Sequence, residues 1–288
     1  MTSGANRWDH SLSRVRTYPE TWIPLFARLG YRRRAMPAAR DDQLLETLGL
    51  AADAVRQALD GIEDWGPAGP AGAHAGQYKS DLAADRAAVD VLQRAGLGVL
   101  SEESGLHHGD RRLLAILDPV DGSTNAALGV PWWGTSICVM DRAGPIAAVV
   151  VNQASGTRWE AVRGGGATRE GQPIRPSGCL RLDDAVIGLS GWPGRHLGWR
   201  QFRALGAAAL DLCAVASGVL DGYIDCSVDA HGPWDYLGGM LVCAEAGAVV
   251  ADARGRDLSV RGHRDRRTPV AAATPQLLAE ILVAVGAG

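Results

Sequence analysis

The pattern of apolar and polar positions along the chain predicts alternating helices and strands. Apolar residues recur at helical spacing between Leu44 and Leu59, which predicts an amphipathic helix from about Asp41 to Gly61. Further helices are predicted at residues 82–95, 206–217 and 235–246, with a closing helix from Pro275. Short apolar runs bounded by turn residues predict strands at residues 113–117, 135–141, 145–151, 157–162, 186–189, 220–225 and 270–273. The expected fold class is therefore α/β, with sheets between layers of helices.

One predicted strand, at residues 113–117, leads directly into a cluster of polar residues. Asp118 and Asp121 stand where the strand ends, and a glycine and two hydroxyl residues follow at positions 122–124. Such a turn offers hard oxygen ligands and free backbone N–H groups at one point, which suits a divalent cation and a phosphate. The same residues are also typical of an ordinary loop whose carboxylates bond their own backbone. The cluster alone leaves both interpretations open.

Two more acidic segments accompany this cluster. Upstream, a short apolar run ends in Ser-Glu-Glu-Ser-Gly at residues 101–105. Downstream, Asp235 lies in the first turn of the helix predicted at residues 235–246, where the helix dipole favours a negative charge. Taken singly, each segment is typical of a loop or of a helix start.

Together, the three segments resemble the motifs of the inositol monophosphatase family. Asp-Pro-Val-Asp-Gly-Ser-Thr-Asn at residues 118–125 matches the central motif, and residues 101–105 match the upstream glutamate motif. Trp-Asp at residues 234–235, with Glu-Ala-Gly at residues 245–247, approximates the C-terminal motif. The resemblance extends from about residue 41 to the C-terminus. It implies the layered α-β-α-β-α sandwich of the inositol monophosphatase and fructose bisphosphatase type, and a metal-dependent hydrolase of phosphoric monoesters.

The carboxylates of these motifs predict a site for divalent cations. Their negative charge would destabilise the fold if it were not neutralised, and all-oxygen ligation favours Mg²⁺ or Mn²⁺ over zinc. The resemblance implies two or three Mg²⁺ ions per site, the first held by Glu102, Asp118 and the carbonyl of Val120. It implies a second ion held by Asp118, Asp121 and Asp235. The neighbouring Glu103 is expected to support the site indirectly or to be a solvated carboxylate.

The resemblance also implies catalytic residues. Ser123 stands where the family orients the attacking water, and Asp85, in the second predicted helix, is the expected partner. Glu102 is expected to act in catalysis as well as in metal binding. Asp81 lies one helical turn before Asp85 and is the alternative partner. The chain departs from the family pattern at Leu82, where a threonine is usual.

Substrate contacts are expected at the same turn and at later segments. Backbone N–H groups after the metal-ligand turn would face phosphate oxygens, and Gly206-Ala207-Ala208 resembles the helix start that the family places beside the sugar ring. Ala207 replaces a hydroxyl residue that is usual there. Asp225 matches the acidic position that binds substrate hydroxyls. The full set of expected contacts is Asp121, Gly122, Ser123, Gly206, Ala207, Ala208, Asp225 and Asp235.

Hydroxyl-binding carboxylates favour a small polyol phosphate, because an unpaired buried carboxylate would penalise apolar substrates. Inositol monophosphate is the leading candidate, hydrolysed by a water that the metal activates. Histidinol phosphate, 3′-phosphoadenosine nucleotides and fructose 1,6-bisphosphate are the alternatives within the superfamily. Few lysines and arginines lie near the motifs in the sequence, which disfavours substrates with two phosphates. Outside catalysis, the alternatives are a weakly active sugar-phosphate-binding protein and a structural Ca²⁺ site.

Composition excludes several other classes of protein. The net charge of −3 gives no footprint for a nucleic acid polymer, and no apolar run approaches the roughly 18 residues of a membrane span. The 5 cysteines are scattered without a Cys-x-x-Cys pair, as in reduced cysteines of a cytoplasmic protein. A homodimer is expected by analogy with relatives.

The first forty residues differ from the rest of the chain. They carry eight arginines against Asp9 and Glu20, with little helical periodicity. We expect residues 1–40 to be a poorly ordered extension or a mis-assigned translation start, and residues 41–288 to form the catalytic domain. A basic arm that binds a partner is the alternative.

Overall fold

A computed structural model of the protein describes residues 38–62, 66 and 78–286. The predicted extension at residues 1–40 lies outside the described residues, apart from its last three, whose backbone opens the first helix. Within the described part of the chain, no helix combines the length and the apolar character needed to cross a membrane.

The described residues form helices and strands in alternation. The helices are α1 (Ala38–Asp60), α2 (Lys79–Arg94), α3 (Ser123–Leu128), α4 (Ala208–Ala216), α5 (Pro233–Ala246) and α6 (Pro275–Gly286), with a 3₁₀ turn at Leu182–Asp184. The first strands are β1 (Gly98–Ser101), β2 (Gly105–His107), β3 (Leu114–Asp121), β4 (Gly134–Asp141), β5 (Gly144–Asn152), β6 (Arg158–Val162), β7 (Gly166–Arg169) and β8 (Gln172–Pro173). The remaining strands are β9 (Val186–Ser190), β10 (Gln201–Arg203), β11 (Gly222–Asp225), β12 (Val249–Asp252) and β13 (Pro269–Ala272).

The first eight strands form one sheet, in the order β2-β1-β3-β4-β5-β6-β7-β8. Only β1 and β3 pair in parallel; the other neighbours are antiparallel. Strands β3 to β5 are buried on both faces, which explains their continuous apolar runs. Successive residues of β3 face opposite sides, so that Leu117 packs under α1 and α2 whereas Ile116 packs against α4 and α5.

The second sheet has the order β10-β9-β11-β13-β12. Helices α4 and α5 lie between the two sheets, since α5 contacts β4 and β5 while α4 contacts β11 and β13. On the far side, Ile281 of α6 joins Ile187, Ile224 and Val270 in a third apolar cluster. The layers therefore run α-β-α-β-α, and the fold class predicted from the sequence is confirmed.

Candidate active site

The parallel pairing of β1 and β3 brings two acidic motifs together. Ser101 is the register partner of Leu117, and the N–H of Glu102 donates to the Leu117 carbonyl at 3.1 Å. Glu102 therefore leaves β1 beside Asp118 of β3. The first turn of α5 adds Asp235, and one carboxylate oxygen from each of the three residues lies within 4.8 Å of the others. We call Glu102, Asp118 and Asp235 the acidic triad.

Asp121, the fourth acidic residue predicted for the site, connects β3 to α4. The pairing of β3 with β4 shifts register between Asp118 and Asp121, so the last residues of β3 form a bulge. The carboxylate of Asp121 accepts backbone N–H groups from Ala208 at 3.2 Å and from Ala209 at 2.8 Å. This pairing fixes the N-terminus of α4, the predicted sugar-side helix, against the end of β3.

Burial and mutual repulsion disfavour the charged forms of these acids. Burial raises the pKa of Asp118 and of Glu102 well above their usual values, and neighbouring carboxylates add to both shifts. Burial likewise raises the pKa of Asp121 to about 7. Burial raises the pKa of Asp235 too, although the charges on His231 and Arg266 and the N–H of Gly232 oppose that shift.

The donor set fits a hard divalent cation. It consists of buried or half-buried carboxylate oxygens that no lysine or arginine neutralises by an ion pair within the described residues. Oxygen-only ligation suits Mg²⁺ and Mn²⁺, and a bound cation would supply the positive charge that the buried acids lack.

Gly122 forms the turn between β3 and α3. Its φ of +84° lies in the left-handed region, and an added Cβ would sit 3.1 Å from the Gly206 carbonyl oxygen and 3.2 Å from the Ala207 Cβ. Asn125 holds the facing loop by donating to the carbonyls of Leu205 and Trp132, each at 2.7 Å. Only glycine fits this turn without displacing its neighbours.

Replacing Gly122 with alanine is expected to lower the free energy of unfolding by about 2–4 kcal/mol and to reduce phosphate release strongly. The matched control is Gly129→Ala, because Gly129 has a similar φ of +73° and nothing lies within 4 Å of its Cβ position. That variant should show the cost of the left-handed backbone alone, about 1–2 kcal/mol. Urea denaturation and steady-state kinetics of both variants test this. Equal effects in the two variants would contradict the role of close packing at Gly122.

Asp85, the predicted partner of Ser123, is buried on α2 and accepts a hydrogen bond from the Ser101 hydroxyl. Within the described residues, no hydrogen bond joins Asp85 to Ser123. The alternative, Asp81, caps α2 by accepting the Tyr78 N–H at 3.0 Å. The water-orienting role of Ser123 and Asp85 stays a prediction. Sequence reasoning missed Ser101, which stands one residue before the glutamates, at the end of β1.

Asp225, predicted to bind substrate hydroxyls, is 1% exposed at the end of β11. Its two carboxylate oxygens lie 2.8 Å from the Ser227 N–H and 2.7 Å from His231 Nδ1. Burial alone would lower the pKa of His231, but Asp225 and the nearby carboxylates outweigh it and raise that pKa. The role of Asp225 stays a prediction, and sequence reasoning missed His231 because it lies in no recognisable motif.

The model of the inositol monophosphatase family matches residues 72–286 of the chain. The chain belongs to the inositol monophosphatase family. The resemblance inferred from the three acidic motifs is thereby confirmed, and the family makes the chain a phosphoric monoester hydrolase.

Relatives of this inositol monophosphatase family member are named for different substrates. An inositol-1-monophosphatase of Mesorhizobium japonicum is 36% identical over 204 residues, covering 62% of this chain and 74% of the relative. A fructose-1,6-bisphosphatase of Pyrococcus furiosus is 30% identical over 207 residues, covering 70% of this chain and 80% of the relative. The crystal structure of the extragenic suppressor protein SuhB from Bartonella henselae superposes with a TM-score of 0.72 at 27% identity, covering 85% of this chain and 99% of that one. The family fixes the reaction class and the fold and leaves the substrate to the residues around the site.

Proposed function

We propose that the protein is a Mg²⁺-dependent phosphatase that hydrolyses the phosphate monoester of a small polyol, with inositol monophosphate as the leading substrate. The observation that carries this proposal is the acidic triad, whose oxygens converge within 4.8 Å at the end of β1, in β3 and at the start of α5. Carboxylates whose pKa values are raised by burial and mutual repulsion are stabilised in their charged form when a divalent cation binds. Their raised pKa values therefore support metal binding over a purely structural cluster.

The proposed ligands come from three parts of the fold. Glu102 and Asp118 would hold one cation together with the Val120 carbonyl, which the bulge in β3 leaves outside the ladder with β4. Asp118, Asp121 and Asp235 would hold a second cation. We propose two or three ions per site. When bound, Mg²⁺ would polarise the phosphate and lower the pKa of water.

The residues around the proposed metal site would position the ester. The turn at Gly122 presents its own N–H and that of Ser123 at the start of α3, where phosphate oxygens are favoured by the helix dipole. Asp85, held by Ser101, would orient the attacking water together with Ser123. Gly206, Ala207 and Ala208 would lie beside the sugar ring.

Polar groups on β11 and after it support a substrate rich in hydroxyls. The pair of Asp225 and His231 faces the carboxylates of Asp121 and Asp235 closely enough to interact with their charges. A polyol could satisfy these groups by hydrogen bonds, whereas an apolar leaving group would leave them unpaired. The alternative substrates are histidinol phosphate, 3′-phosphoadenosine nucleotides and fructose 1,6-bisphosphate.

We further propose a cytoplasmic homodimer that acts on small molecules and binds neither a nucleic acid polymer nor a membrane. All 5 cysteines of the chain lie in the described residues and are free thiols, as expected in a reducing compartment. A weakly active sugar-phosphate-binding protein is the less favoured alternative, because such a protein would gain little from the acidic triad.

Phosphate release from a panel of esters tests the proposed function. The panel contains myo-inositol 1-phosphate, histidinol phosphate, fructose 1,6-bisphosphate and 3′-phosphoadenosine 5′-phosphate, each assayed with Mg²⁺ and with chelator. We expect Mg²⁺-dependent release from at least one polyol phosphate at a kcat/KM of about 10⁴ M⁻¹s⁻¹ or more. Tight binding of an ester without release from any of them would favour the binding protein instead.

A further inference from the structure

A basic turn at residues 261–267 contacts the segments that carry Glu102 and Asp235. His263 Nε2 lies 3.0 Å from the backbone carbonyl oxygen of Glu102, and the His263 ring lies 5.0 Å from the ring of Trp234. Trp234 immediately precedes Asp235 on α5. The turn therefore contacts two of the segments that supply the triad, although it begins 14 positions after the end of the C-terminal motif at Gly247.

The backbone of this turn is held tightly. Asp265 accepts the Gly262 N–H on its carboxylate at 2.8 Å, and its own N–H donates to the Gly262 carbonyl at 2.9 Å. The two bonds close a tight loop around residues 262–265. Such a loop presents the side chain that follows it, Arg266, in a defined position.

Arg266 lies over the Trp234 ring at the start of α5, with part of its guanidinium free. Its Cζ stands 5.1 Å from the centroid of the Trp234 ring, and Nη1 donates to the carbonyls of His263 at 2.8 Å and Asp265 at 2.9 Å. The Nε and Nη2 groups make no hydrogen bond within the described residues. No carboxylate of the described chain lies at ion-pair distance from Arg266 either.

Other arginines in the neighbourhood are used differently. Arg254 and Arg256 pair with Asp229, and Arg256 also pairs with Asp252. Arg267 donates to the carbonyls of Asp257 and Arg266. Arg266 thus combines a fixed position, partial burial and unused N–H groups, the properties of an arginine that binds an anion.

We propose that Arg266 binds a second anionic group of the substrate, a second phosphate, at the mouth of the site formed by the acidic triad. The acidic triad repels any anion unless cations are bound, so a phosphate beside Arg266 would be carried there by a substrate whose first phosphate occupies the metal site. The free Nε and Nη2 groups form the fork that two phosphate oxygens accept in a bidentate contact. This inference rests on the proposed function and extends its substrates to bisphosphates of small polyols. It differs from the expectation, drawn from the sparse basic residues near the motifs, that two phosphates are disfavoured, and the experiment below decides between the two.

Paired substrates that differ only in the second phosphate test the proposal. For the wild-type protein, kcat/KM should be at least about tenfold higher for fructose 1,6-bisphosphate than for fructose 1-phosphate. In Arg266→Gln that ratio should fall by about 10- to 100-fold, mainly through KM, with the monophosphate changed less than about threefold. Arg266→Lys should recover only part of the ratio, because an ammonium group lacks the bidentate fork.

Arg264→Gln is the matched control. Arg264 is exposed on the same turn and makes no hydrogen bond or ion pair within the described residues, so its removal changes net charge equally without a contact. A ratio that falls equally in both glutamine variants, or that stays unchanged in Arg266→Gln, would overturn the proposal. Arg266→Lys, which keeps the cation over Trp234, provides the test if Arg266→Gln does not fold.

A binding measurement separates this inference from the proposed function. Titration calorimetry with a non-hydrolysable bisphosphonate analogue of fructose 1,6-bisphosphate should show affinity weakened by about 10-fold or more in Arg266→Gln. If the protein hydrolyses monoesters but Arg266→Gln changes neither the kcat/KM ratio nor the bisphosphonate affinity, the inference about Arg266 is wrong and the proposed phosphatase function stands. If the protein hydrolyses no ester but binds the bisphosphonate in a way that depends on Arg266, the proposed phosphatase function is wrong and the anion site at Arg266 stands.

Discussion

Asp118→Asn is expected to reduce Mg²⁺-dependent phosphate release by about a thousandfold or more while the fold is retained. Asp118 is the buried member of the acidic triad, and its carboxylate is the only one that the proposal assigns to both cations. An amide of the same shape removes the charge and leaves the packing around β3 unchanged. Steady-state kinetics with saturating Mg²⁺ and a circular dichroism spectrum of the variant measure the two halves of this prediction.

The same substitution is expected to stabilise the metal-free protein. Because the acids of the triad repel one another, removing one charge should raise the melting temperature in chelator and abolish the increase that Mg²⁺ gives to the wild type. Asp110→Asn is the control, since Asp110 is an exposed aspartate outside the site. Activity in Asp118→Asn within about tenfold of the wild type would refute the assignment of the metal site.

The acidic residues of the site could be predicted from the sequence because each lies in a short motif at the end of a strand or the start of a helix. The contacts that hold them could not be predicted in the same way. Asp85 and Ser101 are 16 positions apart, and their hydrogen bond depends on how α2 packs over β1. His231 meets Asp225 only because the chain turns back before α5. These contacts follow from tertiary packing, and sequence periodicity carries no information about them.

The strands that periodicity missed are short, and four of them, β2, β8, β10 and β12, lie at the edges of the sheets. All three residues of β10 are exposed, and β2 has only partly buried or exposed residues, so neither shows an apolar face. In contrast, β3 to β5 are buried along nearly their whole length, and their apolar runs identify them directly. Burial on folding is the property that the apolar pattern reports, and edge strands have little of it.

The basic turn at residues 261–267 shows that sequence patterns are limited in the same way when they are used to predict the functional site. Its arginines are separated from every acidic motif in the sequence, so a count of charges near the motifs does not include them. The contact of His263 with the Glu102 carbonyl places the turn at the site. Charge patterns near a motif in sequence thus differ from the charges near it in space.

The stability of the metal-free protein should fall as pH rises from about 4 to about 7. Burial raises the pKa of Asp121 to about 7 and raises the pKa values of Glu102, Asp118 and Asp235 above their usual range. In that interval the unfolded chain has released these protons and the folded chain still binds them, so the free energy of unfolding decreases with pH. For Asp121 alone, the shift from about 4 to about 7 corresponds to on the order of 4 kcal/mol.

Other titrating groups either share this direction or act outside the interval. The raised pKa of His231 means that its charged form stabilises the fold below about pH 6.5 and loses this effect as pH rises further. The pKa values of Asp141 and Asp252 are lowered by their arginine partners once the opposing effect of burial is included. Their contribution is lost only as the solution becomes more acidic than about pH 4.

With saturating Mg²⁺, stability should instead increase as pH rises, because a cation binds the deprotonated carboxylates and competes with their protons. Urea denaturation at intervals between about pH 4 and about pH 7.5, with chelator and with Mg²⁺, should therefore give two curves that diverge as pH rises. In Asp118→Asn the chelator curve should be shallower, since one of the buried acids no longer titrates. Parallel curves for the wild type, or metal-free stability that increases across this interval, would mean that the buried carboxylates are neutralised by something other than a cation.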